Sequence, residues 1–357
     1  MRTRRPGAAL AAVLAALLLA ACGGAPAGPE LAADAALPTE VPPGPAFVVA
    51  DQTELQQTAL RASGELAGLP FTPEFANFTG GPAILEAFRA GAADIAYVGD
   101  TPPIQALVAG ADVPIVLARQ TDPAATQLAV APGAPIRTLA DLRGAKIAYA
   151  EGTAQQVIVL RALERAGLTT ADVELVRLQL GDFNDAVRTG QVDVAPLVEP
   201  RLTRFLNEAG PRGGGVVDPA GTAGTSSGLA FLYARREALA DPAKAAAARA
   251  YVAASIRAFQ WTNSHPDEWV QQYYVENQGL TADDGRRIVA SLGTTTFPRL
   301  DQALVARQQE TIDVIDRAGE LPRPVRASDG FDLRFDEVVA DVVPTVGASF
   351  AQAGGRR

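Results

Sequence analysis

The chain has 357 residues, of which 48% are hydrophobic and 20% charged, and its formal net charge is −9. This is the composition of folded domains, so it excludes a wholly disordered chain, and the length is enough for two domains. A negative chain without a basic run argues against nucleic acid as a partner, and one cysteine with one histidine excludes disulfide scaffolds and Cys- or His-rich metal sites. We expect no metal and no cofactor.

The N-terminus has the pattern of an export signal. Three arginines within the first five residues precede an apolar stretch over residues 7–20, which is short for a membrane-spanning helix of about 20 residues. The stretch ends in Leu19-Ala-Ala-Cys22, which resembles the lipoprotein box of bacteria, whose cleavage leaves the cysteine as the lipidated first residue. We expect a signal peptide over 1–21 and acyl chains, palmitate among them, on Cys22. The alternative is a plain signal peptide with an accidental cysteine.

Residues 22–45 are rich in Ala, Pro and Gly and lack apolar periodicity, which predicts a flexible tether. No later stretch is long and apolar enough to span a bilayer. Because a diacylglyceryl group supplies two acyl chains, it anchors a protein stably. We therefore expect an extracytoplasmic protein that contacts the bacterial cell membrane through its lipid anchor.

The rest of the chain alternates strands with helices. The apolar runs predict strands at 46–50, 72–77, 94–98, 113–117, 128–131, 146–150, 173–178, 192–197 and 229–234. Helical spacing predicts helices at 54–67, 82–90, 103–109, 139–142, 154–166, 182–189, 201–209, 242–277, 283–292 and 301–318. This alternation is typical of an α/β protein with mainly parallel sheets flanked by helices.

Three loops of small residues, at 79–82, 99–103 and 151–154, each come directly before a predicted helix. Ligands of such sheets bind beyond the carboxyl ends of the strands, where helix N-termini present free N–H groups to anions. Two loops belong to the first unit and one to the second, so a cleft between the units would collect all three. The candidate anion-binding residues of these loops are Gly80, Gly81, Gly152, Thr153 and Ala154. An ordinary strand–helix turn would use the same glycines.

Several longer runs then point to one family. The segments Phe78–Gly91, Asp94–Ile104, Ile136–Ile147 and Gly190–Asp193 resemble the extracytoplasmic binding components of ABC importers for aliphatic sulfonates, within the nitrate/sulfonate/taurine class. The resemblance covers about residues 46–320 in order. It implies a two-lobed periplasmic-binding-protein-like fold of type II, with a hinge between the lobes.

The resemblance also implies the domain boundaries. The first lobe would comprise residues 46–132 and 227–325, the second lobe residues 133–226, and a C-terminal extension residues 326–357. The hinge would be formed by crossings near 131–135 and 227–230. The tail from Leu333 onward either packs as an extra helix or remains disordered.

Further polar residues complete the predicted binding site. Gln155 and Gln156 extend the loop at 151–154, and we expect one of them to face the cleft. Thr101 can donate to a sulfonate oxygen, and Gln52 follows the first strand as a further contact. Asp100 would repel an anion, so it either caps a helix, supports the hinge or receives the amine of an aminoalkyl sulfonate.

The sequence departs from the family at Val198-Glu-Pro-Arg201, where those proteins commonly carry Trp-Asp-Pro-aromatic. Losing the tryptophan removes a flat apolar wall and puts the identity of the ligand's tail in doubt. Arg201 either clamps an oxyanion with two parallel hydrogen bonds or lies on the surface. Glu199 is a further candidate contact.

These features predict a monomeric, non-enzymatic solute-binding lipoprotein that captures a small organic anion, foremost an aliphatic sulfonate, and delivers it to an ABC permease in the membrane. Nitrate, taurine or a thiamine-precursor pyrimidine are alternative ligands. Two other classes stay open: a non-transporting sensor, and a surface hydrolase that uses Asp100 and Glu199 as acid and base.

Overall fold

The computed structural model describes residues 30–348. The predicted signal peptide at 1–21, the predicted lipidation of Cys22 and the last part of the predicted C-terminal extension lie outside the described residues. Within the range described, no helix has both the length and the apolar character that crossing a bilayer requires.

The first sheet contains five strands, β1 (Val48–Asp51), β2 (Glu74–Asn77), β3 (Ile95–Gly99), β4 (Ile115–Gln120) and, from much later in the chain, β10 (Leu229–Ala234). Their order is β2-β1-β3-β10-β4. Strands β1, β2 and β3 are parallel, whereas β10 runs antiparallel to both of its neighbours. The central strands are apolar and buried, as expected of a sheet covered by helices on both faces.

The second sheet also contains five strands, β5 (Thr126–Val130), β6 (Lys146–Tyr149), β7 (Glu174–Arg177), β8 (Val194–Val198) and β9 (Gly215–Val216), in the order β7-β6-β8-β5-β9. Strand β6 is parallel to β7 and β8, and β5 is antiparallel to β8 and β9. Each sheet organises one lobe, which confirms the predicted two-lobed α/β fold. Each sheet is mainly parallel: four of its five strands run in one direction, and β10 or β5, which comes from the other lobe, runs against its neighbours.

The first crossing between the lobes lies earlier than predicted. Strand β5 pairs with β8 from Thr126 opposite Val198 to Val130 opposite Val194, so residues 126–130 belong to the second lobe. The predicted boundary at 132 is therefore wrong, and the crossing lies between β4 and β5. The Pro-Gly breaker at 132–133 follows a strand of the second sheet. The boundary was misplaced because apolar patterning identifies a strand without showing which sheet it joins. The second crossing, just before β10, lies where it was predicted.

The helices flank both sheets. In the first lobe they begin with α1 (Leu55–Ala62), α2 (Glu65–Gly68), α3 (Gly81–Arg89) and α4 (Pro102–Val108). The second lobe contributes α5 (Ala154–Arg165), α6 (Phe183–Thr189), α7 (Arg201–Ala209) and α8 (Pro219–Thr222). The chain then returns with α9 (Arg236–Ala240), α10 (Pro242–Ser264), α11 (Pro266–Trp269), a π-helix (Val270–Asn277), α12 (Ala282–Leu292), α13 (Gln302–Arg317) and α14 (Phe335–Thr345). The helix predicted over 242–277 is thus interrupted at His265, before Pro266.

Both described ends of the chain pack on the first lobe. The Leu31 amide donates to the Ala240 carbonyl at 2.7 Å, and Nη1 of Arg334 donates to the carbonyls of Ala32 at 3.2 Å and Ala35 at 3.1 Å. Leu37 and Val41 lie against the main apolar core. The prediction of a flexible tether is therefore wrong over these residues, whose irregularly spaced apolar contacts give no periodic signal. In the C-terminal extension, α14 packs against α10 and β4. Of the two alternatives for the tail from Leu333 onward, an extra helix or disorder, the structure therefore supports the helix over the residues of α14.

Candidate functional site

A cavity of about 1080 Å³ lies between the two lobes. Its wall is built where strands end and helices begin: after β1 and β3 in the first lobe, and at the starts of α5 and α7 in the second. These are carboxyl ends of strands that run parallel to a neighbour, the place where open α/β sheets bind ligands.

Most of the predicted site residues line this cavity. They are Gln52, Gly81, Asp100, Thr153, Ala154, Gln155, Glu199 and Arg201. Gly80 instead borders a smaller adjoining cavity of about 490 Å³. Thr101, Gly152 and Gln156 line neither of the two cavities, so these three predicted contacts are not supported by the geometry.

Hydrogen bonds within the protein explain two of these exclusions. The Thr101 side chain is fully buried and its hydroxyl donates to Oδ1 of Asp100 at 3.0 Å. Gln156 accepts from the Gly152 amide at 2.7 Å and donates to the Glu320 carboxylate at 2.6 Å. Gln156 therefore fixes the start of α5 against a loop of the first lobe, whereas Gln155 faces the cavity.

The loop glycines allow the lobes themselves to approach closely. A Cβ added at Gly99, in the first lobe, would lie 2.9 Å from Cβ of Ala154, in the second. A Cβ at Gly81 would overlap the ring of Pro102 and lie 3.7 Å from the Gly152 carbonyl. Gly152 has a φ of +76°, which favours glycine, and a Cβ there would come within 3.1 Å of Gln105. Packing within the protein is thus sufficient reason for these glycines, and the approach of a ligand to the Gly80–Gly81 backbone stays a prediction.

The turn after β1 is strained and held from both sides. Thr53 and Glu54 both have a φ of 56°, an unfavourable conformation for residues with a Cβ. The Thr53 hydroxyl lies 2.9 Å from the Tyr273 hydroxyl, and Nε2 of Gln52 donates to the Tyr97 carbonyl at 2.8 Å. The preceding Asp51 is fully buried, and burial raises its pKa to about 6. The backbone N–H groups of residues 52, 56 and 57 donate to its carboxylate and oppose this rise.

Asp100 supports the hinge. Its carboxylate accepts from the Ser227 hydroxyl at 2.6 Å, and Ser227 lies in the second crossing between the lobes. The Asp100 carbonyl also accepts from Nε2 of Gln308 at 2.6 Å. Helix α4 has no side-chain cap, so the capping role considered for Asp100 is wrong and the hinge role agrees with the geometry.

Glu199 and Arg201 border the cavity at the start of α7 and differ in their bonding. Glu199, whose peptide bond to Pro200 is cis, accepts from the amide and hydroxyl of Thr203 at 3.1 and 3.0 Å. Burial raises the pKa of the Glu199 carboxyl. The Arg201 side chain forms no hydrogen bond or ion pair with any residue in 30–348, and burial lowers the pKa of its guanidinium. It nonetheless stays charged at neutral pH, because the ordinary value is so high.

A second arginine without an ion-pair partner in residues 30–348 is Arg119, which no sequence pattern singled out. It lies in β4, is 9% exposed, and its guanidinium lies 4.5 Å from the ring centre of Tyr97 and 3.8 Å from that of Phe259. Its Nη2 donates to the Tyr97 hydroxyl, its Nε is buried without a partner, and no carboxylate of the described chain lies within ion-pair distance. A charged residue near the carboxyl end of an otherwise apolar strand is a signal that could have found it.

The cavity also has an aromatic wall that does not come from the expected place. Val198 lies where the resemblance implies a tryptophan, but Trp269 and Tyr273 line the cavity from α11 and the π-helix. Their rings stack with centres 4.6 Å apart and planes within 3°. Val198 thus leaves out the tryptophan at its own position, whereas aromatic rings from a distant segment contribute to the lining of the same cavity.

The carboxylates that border the cavity already have partners within the protein. Asp100 and Glu199 accept the hydrogen bonds described above. At the rim, Arg188 pairs with Asp185 at 2.9 Å and with Glu208 at 3.2 Å. Among the residues that the structure describes, no cluster of three or more metal-ligating side chains occurs. The arrangement favours an anion held by the two arginines over a cation.

Comparison with known proteins agrees with this geometry. A family model described as NMT1/THI5 like matches residues 79–269. A protein of Escherichia coli (strain K12) named as aliphatic sulfonates-binding is 31% identical over 248 residues, which cover 70% of this chain and 75% of the relative.

Solved structures show the same fold. The periplasmic aliphatic sulphonate binding protein SsuA of Escherichia coli superposes with a TM-score of 0.68 at 26% identity, covering 82% of this chain and all of that one. The alkanesulfonate-binding protein SsuA of Xanthomonas axonopodis pv. citri, bound to MOPS, gives 0.70 at 24% identity, with 83% and 99% covered. The desulfurization enzyme DSZB shares the fold more distantly, at 0.58 and 15% identity over 83% and 99%, so the fold by itself does not decide between binding and catalysis.

Proposed function

The chain belongs to the NMT1/THI5-like family, and on that premise we propose that it is the solute-binding component of an ABC importer that captures a sulfonate between its lobes. The observation that carries this proposal is a pair of arginines that line one cavity, the buried Arg119 from the first lobe and the half-buried Arg201 from the second. Neither has an ion-pair partner within residues 30–348. A buried charge without a partner is costly, so this arrangement is stable when an anion lies between the two side chains.

A sulfonate suits these donors. Its three oxygens share one charge and accept hydrogen bonds in several directions, and a guanidinium can donate two parallel bonds to such a group. The side-chain amides of Gln52 and Gln155 border the same cavity and add N–H donors without changing its charge, whereas the Thr153 hydroxyl already donates to the Ala150 carbonyl. Tyr97 and Phe259 hold the Arg119 guanidinium in place, so little side-chain freedom is lost on binding.

Binding would draw the lobes together, because one arginine comes from each lobe. The closed protein would then present its ligand to a membrane permease, while acyl chains on Cys22 hold it at the outer face of the cell membrane. We propose no reaction. Asp100 and Glu199, the acid and base of the hydrolase alternative, are each held by hydroxyl groups of the protein.

Isothermal titration of an alkanesulfonate into ligand-free mature protein, with Cys22→Ser to prevent lipidation, tests the proposal. One molecule should bind per chain, and Arg119→Gln or Arg201→Gln should raise Kd about 10- to 150-fold, since a hydrogen bond to a charged group contributes about 1.5–3 kcal/mol. Arg326→Gln is the matched control, because that side chain is 80% exposed and borders neither cavity.

Failure of every sulfonate, alkyl or aryl, to bind would refute the assignment. Binding of nitrate, taurine or a pyrimidine alone would favour the corresponding alternative ligand. Turnover of a bound ester that disappears in Asp100→Asn would favour the hydrolase. For the anchor, Cys22→Ala should move the protein from the membrane fraction to the soluble fraction.

A further inference from the structure

We propose, resting on the proposed function, that the ligand is a sulfonate with a flat ring system, aryl or heterocyclic, and that its ring lies against the half-buried Phe78 in the interlobe cavity. Short alkanesulfonates and aminoalkyl sulfonates would be weaker ligands. The inference depends on the size of the cavity, its aromatic lining and the bonding of its carboxylates.

The cavity is much larger than a short sulfonate requires. Its volume of about 1080 Å³ slightly exceeds the range of roughly 300–1,000 Å³ typical of pockets for drug-sized ligands. A methane- or ethanesulfonate between Arg119 and Arg201 would leave most of this space unfilled. Unfilled apolar space loses packing contacts, so a larger apolar body on the same head group is favoured.

The lining is enriched in aromatic residues. They make up only 6% of the chain, yet this one cavity is lined by Phe78, Tyr97, Phe259, Trp269, Tyr273 and Tyr274. Two of these rings, Tyr97 and Phe259, hold Arg119, so aromatic groups border the proposed head-group site on the side of the first lobe.

Apolar surface continues away from the arginines. Phe78 in the first lobe and Leu180 and Val198 in the second line the cavity and are only partly buried, so they remain open to a ligand. A ring between these side chains would contact both lobes. Flat rings gain from contact with aromatic side chains beyond the area that they bury.

The carboxylates argue against an ammonium group on the ligand. Asp100 and Glu199 accept hydrogen bonds from Ser227 and Thr203 inside the protein, and the two rim carboxylates pair with Arg188. Each oxygen of Asp100 and Glu199 already accepts one hydrogen bond, so the amine of taurine would share its acceptor with a donor of the protein rather than meet a free carboxylate.

The test compares Kd values of mature protein for methanesulfonate, taurine, benzenesulfonate, naphthalene-2-sulfonate and MOPS. We expect benzenesulfonate and naphthalene-2-sulfonate to bind at least about 10-fold more tightly than methanesulfonate, taurine and MOPS, whose morpholine ring is not flat and carries an amine. Equal or tighter binding of the two short ligands would overturn this inference and leave the proposed function intact. Binding of none of the five would overturn both.

A pair of variants locates the ring. Phe78→Leu removes an aromatic face but keeps apolar bulk, and should lower the ratio of methanesulfonate Kd to naphthalene-2-sulfonate Kd about 2- to 10-fold. Phe75→Leu is the control, because Phe75 lies three residues away in β2, is also partly buried and does not line the cavity. An unchanged ratio in Phe78→Leu, or an equal change in both variants, would overturn the placement of the ring.

Discussion

The contact between Gly99 and Ala154 tests whether binding depends on closure of the lobes. A Cβ at Gly99 would lie 2.9 Å from that of Ala154, whereas ordinary contacts begin at 3.4 Å. The backbone at Gly99 lies outside the left-handed region, so alanine fits the first lobe alone without strain. Gly99→Ala would therefore force the lobes apart by about 0.5 Å or move the start of α5.

Overpacking by one methyl group costs about 1–3 kcal/mol, and here the cost falls only on the closed state. Ligand Kd should then rise about 5- to 150-fold, while the unfolding temperature of the ligand-free protein stays unchanged. Titration calorimetry and thermal unfolding with and without ligand measure the two quantities. Gly81→Val is a useful contrast, because its side chain would overlap Pro102 of the same lobe and should destabilise the ligand-free protein as well.

A second substitution separates closure from direct contact with the ligand. Ala154→Gly removes the opposing methyl group at a cost of up to about 1 kcal/mol in helix stability. The double variant Gly99→Ala/Ala154→Gly should regain most of the lost affinity. Wild-type affinity in Gly99→Ala alone, or a loss that the double variant does not recover, would refute the reasoning.

Three further predictions follow from single residues. Arg201→Ala should weaken sulfonate binding by about 1.5–3 kcal/mol in calorimetry, and an unchanged Kd would place this arginine outside the site. Burial raises the pKa of Asp51 from 3.8 to about 6, so between these pH values the folded state holds a proton that the unfolded state has lost. The free energy of unfolding should therefore fall by about 3 kcal/mol as pH rises through this range. Urea unfolding of Asp51→Asn should lack this part of the slope, and an identical slope would contradict it. Arg334→Ala should release residues 31–41 from the first lobe and speed hydrogen exchange at the Leu31 amide, which an unchanged rate would disprove.

Local patterns predicted most of the elements that build the site. The run at 146–150 predicts a strand because its apolar residues are continuous, and the structure has β6 at Lys146–Tyr149. The loop Gly152-Thr-Ala154 predicts a helix start, and Thr153 does accept the Gln156 amide there. Such signals are short-range, since the residues that make them lie within a turn or a strand of each other.

The same local reasoning failed where a residue's role depends on distant partners. From its neighbours alone, Arg119 is an ordinary strand residue. Its guanidinium is covered by Phe259, which lies 140 positions later in the chain. Trp269 is part of the buried core and also lines the cavity, and no local pattern shows that its segment reaches this cavity. Gln155 and Gln156 are chemically alike, and only the helix direction and Glu320 decide which one reaches the cavity.

The sequence by itself therefore determined the α/β class and the loops before the helices, because periodicity and helix starts are encoded in neighbouring residues, and its resemblance to a known family implied the two lobes. Only the tertiary structure decided which sheet residues 126–130 join, which arginines remain without carboxylate partners and where the aromatic wall lies. Those properties depend on contacts between residues far apart in the chain, and burial and charge pairing exist only once these contacts have formed.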